Sequence, residues 1–126
     1  MSLNRTVRLS VLYGGTTFGA TSATDTGDTE VQVNEQIPAG QSKTFPFAVT
    51  AANLQTLMAW CDQLNVVIDV NTTDVILAAN TGASLWSTTL GGTSPLVSGD
   101  TTTVTCDNTG GSDAANVFIA ALSETP

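Results

Sequence analysis

A chain of 126 residues is long enough for one compact domain and too short for two ordinary ones. Three basic residues stand against eleven acidic ones, and a net charge of -8 leaves no basic face for binding nucleic acid or an anionic membrane. The chain has no histidine and two cysteines, which excludes histidine-dependent nucleophilic catalysis, histidine-bound zinc and an all-cysteine zinc site within one chain. We therefore expect a protein that is not an enzyme and holds no cofactor.

Threonine is the commonest polar residue, with 22 copies. Its branched β-carbon favours the pleated, half-buried surface of a sheet over a helix. Lysine and glutamate, which usually cover helices, number one and three. This composition predicts an all-β domain with many turns.

The first predicted element is a strand over 4–13, in which Val7, Leu9 and Val11 alternate toward the core. The alternation leaves no apolar stretch of signal-peptide length, so we expect a soluble chain that is made in the cytoplasm. The segment 14–29 is small, polar and glycine-rich. It predicts a long exposed loop or arm that pairs with the edge of a neighbouring subunit's sheet.

Two further strands are predicted over 30–36 and 42–49, joined by a turn over 37–41. Pro46 cannot donate a backbone hydrogen bond, so the second of these strands should lie at a sheet edge or contain a bulge. The side chains expected in the core are those of Val31, Val33, Phe45, Phe47 and Val49.

One helical element is predicted, near residues 51–60. Thr50 can serve as its N-cap, and Leu54, Leu57 and Met58 follow at helical spacing. We expect a short helical turn that caps one end of a sheet.

The remainder of the chain alternates strands with turn signals every eight to twelve residues. The strands are predicted over 64–70, 75–79, 83–87, 101–106 and 115–122. About eight short strands without a strand–helix–strand unit predict one antiparallel β-sandwich over 1–126, jelly-roll-like, or a small barrel.

The triplet Asp25-Thr26-Gly27 matches the one that carries the catalytic aspartate of aspartic proteases. In a protease of that type the triplet follows an apolar strand that buries the carboxyl group. Here polar residues flank it on both sides. We therefore interpret Asp25 as a turn residue in a polar loop, and assign no catalytic role to it.

Two groups of oxygen-bearing side chains resemble fragments of calcium sites. They are Asp25, Asp28 and Glu30, and Asp107, Asn108 and Asp113. Both are too short for a complete ligand set, so solvated turn residues are the favoured interpretation. A structural cation between subunits stays open as the alternative, and no metal ligand is assigned.

Other candidate sites have simpler interpretations. Asp69 and Asp74 flank a turn and could form a glycosidase pair, but few aromatic residues exist to build a sugar cleft. Trp60 and Trp86 lie among apolar neighbours and are expected in the core. The glycine-rich stretch 14–19 lacks the lysine of a phosphate-binding loop.

Cys61 and Cys106 are the two cysteines of the chain. A low cysteine count without a secretory signal favours two buried free thiols over a disulfide, and the disulfide is left as the alternative.

Residues 47–126 have an order of strands and turns that resembles that of a known class of proteins. The segment FAVTAANLQTLMAWCDQLNVVIDVNTTDVILAANTGASLW is followed by PLVSGDTTTVTCDNTGG and then VFIAALSETP. In strand order and turn placement it resembles the small β-sandwich virion proteins of tailed bacteriophages.

This resemblance implies a structural protein of the virion, most simply a head decoration or cement protein that contacts the major capsid protein. A homo-oligomer, with a trimer favoured, is the implied assembly. A tail, baseplate or spike component is the main alternative placement. A lectin-like or adhesin-like binding module is the alternative function.

Overall fold

A computed structural model describes residues 2–71, 73–91 and 93–124, with the backbone alone over 9–13 and 17–21. Its first two strands, β1 (Leu3–Tyr13) and β2 (Thr16–Gly27), form a separate two-stranded sheet. A 3-10 turn, Ala51–Asn53, precedes the strand that begins at Leu54. The other described strands are β3 (Thr29–Ile37), β4 (Ser42–Val49), β5 (Leu54–Cys61), β6 (Val67–Val70), β7 (Asp74–Leu77), β8 (Ala83–Ser87), β9 (Thr101–Asp107) and β10 (Ala115–Ser123).

Strands β3 to β10 pair in a nested order. The first pairs with the last, β3 with β10, and inside it lie the pairs β4 with β9, β5 with β8 and β6 with β7, all antiparallel. Further pairing of β10 with β5 and of β9 with β6 completes two four-stranded sheets, β3-β10-β5-β8 and β4-β9-β6-β7. This is the strand order of a jelly roll, and it confirms the predicted antiparallel sandwich.

The core lies between these two sheets, and the period-2 alternation of the strands fills it. Phe47, Ile68, Val104 and Ile119 are fully buried there. The predicted core residues Val33 and Val49 are also buried, whereas Val31 and Phe45 pack against the core while partly exposed.

Pro46 lies where its chemistry predicts. Strand β4 is an edge of its sheet, and its register with β9 shifts between Pro46 and Val49. Proline has no backbone N–H to donate, and neither an edge position nor a bulge requires a donated hydrogen bond from that residue.

The helical prediction over 51–60 is wrong for most of its length, because only Ala51–Asn53 is helical and Leu54–Cys61 is strand β5. In β5, Leu57, Ala59 and Cys61 point into the core, while Met58 and Trp60 point outward. β5 lies between β10 and β8, so its backbone is paired on both sides. That pairing outweighs the local helical spacing of its leucines.

For the segment 14–29 the loop interpretation is wrong, since Thr16–Gly27 is strand β2 and pairs along its length with β1, whereas an arm that pairs with a neighbouring subunit stays a prediction. Gly14 and Gly15 connect the two strands, and both have positive φ, 60° and 82°. A two-residue turn with positive φ at both positions matches the twist of the strands it joins. The side chains of Leu9 and Val11, expected in the core, lie outside the described residues.

Candidate functional site

The β3-β10-β5-β8 sheet has an outer surface with exposed apolar side chains. Phe118 of β10 pairs with Trp60 of β5, and Ala120 of β10 pairs with Met58, which pairs in turn with Leu85 of β8. Trp60 is 46% exposed and Leu85 is 43% exposed. We call Met58, Trp60, Leu85, Phe118 and Ala120 the outer apolar face.

The β1–β2 hairpin is attached beside this face through residues near its open end. Val7 and Ala23, which pair across the hairpin, are 6% and 8% exposed. Leu122, on the outward side of β10, is 1% exposed. At the other end of the hairpin Gly14 and Gly15 are exposed, and no atom lies within 4 Å of where their β-carbons would be.

Asp25 fastens β2 to the sandwich. Its Oδ2 accepts hydrogen bonds from Thr56 Oγ1 at 2.5 Å and Ser87 Oγ at 2.6 Å. Its Oδ1 accepts from the backbone N and the Oγ1 of Thr89, at 3.2 and 2.5 Å. The carboxylate is 2% exposed. The prediction of a turn residue in a polar loop is therefore wrong, because Asp25 is a buried strand residue with donors on both oxygens.

The same contacts set the charge of this carboxyl group. Burial raises the pKa of Asp25, but the hydrogen bonds from Ser87, Thr56 and Thr89 together lower it by more, so that the pKa lies below its ordinary value. An aspartate that must share or donate a proton needs the opposite shift. The environment of Asp25 stabilises the charged form, which suits an anchor.

The lowered pKa of Asp25 predicts a loss of stability in acid. In the unfolded chain the carboxyl group has a pKa near 3.9, so its contribution to folding is complete above that value and falls as pH drops through the lower folded pKa. We expect the urea midpoint of the wild type to decrease more steeply than that of Asp25→Asn as the pH falls below about 4. Parallel pH profiles for the two proteins would contradict this assignment.

Gly27 ends β2 where the hairpin meets β10. A β-carbon at this position would lie 2.4 Å from the backbone oxygen of Ser123 and 2.9 Å from the side chain of Leu122. The same oxygen accepts a hydrogen bond from the backbone N of Asp28 at 2.9 Å. The glycine therefore permits a close approach of two backbones.

A groove of about 370 Å³ runs between β1 and the sheet. One wall is Arg5, Thr6, Val7 and Arg8. The other is mostly apolar and includes part of the outer apolar face. Its residues are Glu30, Gln32, Thr56, Met58, Leu85, Phe118, Ala120 and Leu122.

The positive charges that line the groove, those of Arg5 and Arg8, both lie on β1. Arg5 Nε lies 2.5 Å from Glu30 Oε2, the one ion pair among the residues that the structure describes. The hydrogen bond from Arg5 lowers the pKa of Glu30. Arg8 also lines the groove, is exposed, and forms no ion pair with a described residue. The groove is thus apolar on one side and basic on the other.

The two tryptophans differ. Trp86 is partly buried and packs against the core, as expected, although its Nε1 has no hydrogen-bond partner in the described structure. Trp60 was expected in the core and lies on the outer face instead. Leu57, Ala59 and Cys61 occupy the inward positions of β5, so the alternation turns Trp60 outward.

Asp69 and Asp74 do not form a glycosidase pair. In the β6–β7 ladder Asp69 pairs with the exposed Val75, and Asp74 pairs with the buried Val70. The two carboxylates therefore lie on opposite faces of the sheet. Asp74 is buried and accepts hydrogen bonds from the backbone N and the Oγ of Ser98.

Replacing Asp69 by asparagine should stabilise the protein. Burial raises the pKa of Asp69 and the nearby charge of Asp107 raises it further, and Asp69 Oδ1 is buried without a hydrogen-bond partner in the described structure. Keeping Asp69 ionised therefore costs the folded state free energy. We expect Asp69→Asn to raise the free energy of unfolding by about 0.5–1 kcal/mol at pH 7, measured by urea unfolding. A decrease in the free energy of unfolding would contradict the proposed repulsion between the carboxylates of Asp69 and Asp107.

The polar cluster over 107–113 organises a loop. Asp107 Oδ1 accepts hydrogen bonds from the N and Oγ1 of Thr109, which lower its pKa. The buried Asn108 donates through Nδ2 to the backbone oxygens of Ile37, Pro38 and Asp113. Asn108 thus joins the 37–41 turn to this loop, a role that the interpretation as solvated turn residues did not include.

Both cysteines are buried and free. Burial raises the pKa of Cys61, and burial together with the charges of Cys61 and Asp69 raises the pKa of Cys106 to about 12. Both thiols are protonated at neutral pH and poorly nucleophilic.

Within the described residues no group of three or more cysteine, aspartate or glutamate side chains is placed to hold a metal ion. No helix among them is long and apolar enough to cross a membrane. No protein-family model matches the chain, and no curated protein matches its sequence.

Proposed function

We propose that this chain is a non-enzymatic structural protein of a tailed-phage virion, which decorates the head as a homo-oligomer and contacts the major capsid protein. A trimer is the favoured assembly. A tail, baseplate or spike position is the alternative within the same class. In this proposal the chain is made in the host cytoplasm and resides in the virion, and it contacts neither nucleic acid nor membrane.

One observation carries the proposal, namely the outer apolar face lying beside a hairpin that belongs to neither sheet of the sandwich. Contiguous apolar surface on a soluble domain marks an interaction site. A two-stranded ribbon is marginally stable in water and gains stability from packing against a partner. A protein that assembles with other proteins has a use for both features.

The fold and the composition add support. Jelly rolls occur in viral capsid proteins and in lectins, a fold-level analogy that fits both the proposal and the binding alternative. The sequence has no histidine for acid–base chemistry near neutral pH. Its net charge of -8 disfavours association with packaged DNA.

The test uses virions of the phage that encodes the chain. We expect antibodies against the purified protein to label heads, and we expect heads lacking the protein to bind the purified chain to a saturable copy number. Heads that already carry the protein are the matched control and should bind none. Label confined to tails would support the alternative placement over head decoration. Absence of the protein from purified virions would overturn both placements.

A lectin-like module is the second candidate, favoured by one feature. Trp60 is half-exposed and pairs with Phe118, which presents aromatic surface of the kind on which sugar rings stack. Binding in a glycan screen, with a change in tryptophan emission that Trp60→Ala abolishes, would favour this function.

A further inference from the structure

The hairpin and the sandwich carry opposite net charge. Residues 3–27 contain two arginines and one aspartate, a net charge of +1. The rest of the chain contains one lysine and ten acidic residues, a net charge of -9. Since the aspartate is the buried Asp25, the accessible charges of the hairpin base are basic. Between copies, a hairpin is therefore attracted to a neighbouring sandwich and repelled by another hairpin.

The β1–β2 hairpin is also longer than the width of the sheet on which its open end packs. Its first strand has 11 residues and spans about 36 Å at roughly 3.3 Å per residue. The sheet beneath has four strands, about 14 Å across at roughly 4.8 Å per strand interval. Among the side chains that the structure describes, the anchoring contacts involve Arg5, Val7, Ala23, Asp25 and Gly27, in the half of the hairpin nearer its open end.

The outer apolar face is continuous with the part of the sheet surface that the hairpin base, the anchored end of the hairpin, already covers. Met58 and Ala120 line the same groove as Thr56 and Leu122, which lie beneath the base. Phe118 and Leu85 line this groove as well, and Trp60, which pairs with Phe118, extends the apolar surface past it along the sheet. The surface that receives one hairpin base thus continues into further exposed apolar side chains.

We propose that the outer apolar face of one copy binds the β1–β2 hairpin of a second copy, in a head-to-tail contact that repeats to close the oligomer. This inference rests on the oligomeric part of the proposed function and names its interface. A head-to-tail arrangement places the basic hairpin on the acidic sandwich. Two identical faces in mutual contact would leave both hairpins without a partner, and two paired β1 strands would bring their Arg8 side chains together.

Two single variants each disable one half of this contact. Leu85→Asp puts a charge on the face, and Val97→Asp is its matched control, because Val97 is 76% exposed and lies in the loop before β9. Arg8→Glu reverses the charge of the hairpin. Lys43→Glu is its control, because it makes the same charge change on β4 of the opposite sheet.

The mass of each protein is measured by light scattering, with circular dichroism to verify the fold. We expect the wild type and both controls to have a multiple of the 12.9 kDa chain mass, and the two variants to have the mass of one chain. When the two variants are mixed, the intact hairpin of Leu85→Asp can bind the intact face of Arg8→Glu. We expect the mixture to form a complex of one copy of each.

Three results would overturn the interface. The first is a monomeric wild type, and the second is a pair of variants that associate as strongly as their controls. The third is a mixture of the two variants that remains monomeric, as expected if the contact is symmetric and every copy needs both its face and its hairpin intact. These outcomes are separate from the test on virions. A monomeric wild type that binds heads removes this interface and the oligomeric part of the proposed function, and keeps the head-decoration role. An oligomer that behaves as described but binds no head keeps the interface and removes the head-decoration role.

Discussion

Asp25→Ala is expected to lower the free energy of unfolding by about 3 kcal/mol, because it removes both carboxylate oxygens, which together accept four hydrogen bonds. Thr56 and Ser87 are buried and would keep their donors where water has little access, whereas Thr89 is exposed and could donate to water. Urea unfolding measures the total loss. Hydrogen exchange followed by mass spectrometry shows where it falls, and we expect the peptides of β1 and β2 to lose protection before those of β10.

The control for this substitution is Asp113→Ala. Asp113 is exposed, and its side chain makes no hydrogen bond with a described residue. We expect its removal to change the free energy of unfolding by less than about 0.5 kcal/mol. If Asp25→Ala behaved like Asp113→Ala and kept the hairpin protected, Asp25 would not be the anchor.

Gly27→Ala is expected to cost about 2–3 kcal/mol, although it adds only a methyl group. The new carbon would lie 2.4 Å from the backbone oxygen of Ser123, and backbone cannot move aside as the end of a side chain can. To relieve the contact, β2 must separate from β10 and lose the hydrogen bond between Asp28 N and Ser123 O. The urea midpoint and the exchange of β2 amides should both report this separation.

Gly110→Ala is the matched control. No atom lies within 4 Å of the β-carbon position at Gly110, and its backbone does not have the positive φ that favours glycine. We expect this variant to be as stable as the wild type, or slightly more so through a less flexible unfolded chain. Equal losses of stability in Gly27→Ala and Gly110→Ala would show that the close approach of β2 and β10 is not the cause.

These two predictions give the Asp25-Thr26-Gly27 triplet a structural explanation. The aspartate binds donors from β5, β8 and the segment after β8, and the glycine allows β2 to approach β10. A short motif can thus match a catalytic signature while its residues serve packing. The partners in space, and not the letters of the motif, decide which chemistry it performs.

Eight strands were predictable because each carries a local signal of its own. The predicted bounds 42–49 and 83–87 coincide with β4 and β8, and Pro46 correctly predicted an edge strand or a bulge in β4, which has both. In these segments apolar and polar residues alternate with period 2, or glycine, proline and asparagine punctuate the ends. Composition alone, rich in threonine and poor in lysine, predicted the all-β class.

The two missed strands lacked such a signal. β2 has small polar side chains at most positions, so no apolar alternation marks it, although Gly14-Gly15 offered a hairpin-turn signal that we interpreted as part of a loop. In β5 the spacing of Leu54, Leu57 and Met58 fits a helix equally well. Short apolar segments of this kind are resolved by the neighbours that pair with them.

The sequence by itself determined the fold class, the acidic charge, the lack of histidine chemistry and most of the strands, because these depend on residue types and local periodicity. Only the tertiary structure decided that Asp25 is buried, that Trp60 is half-exposed and that Asp69 and Asp74 face opposite ways. Each of those facts depends on which strands pair and which side of a sheet is covered. Such contacts join residues far apart in the chain, and local patterns do not encode them.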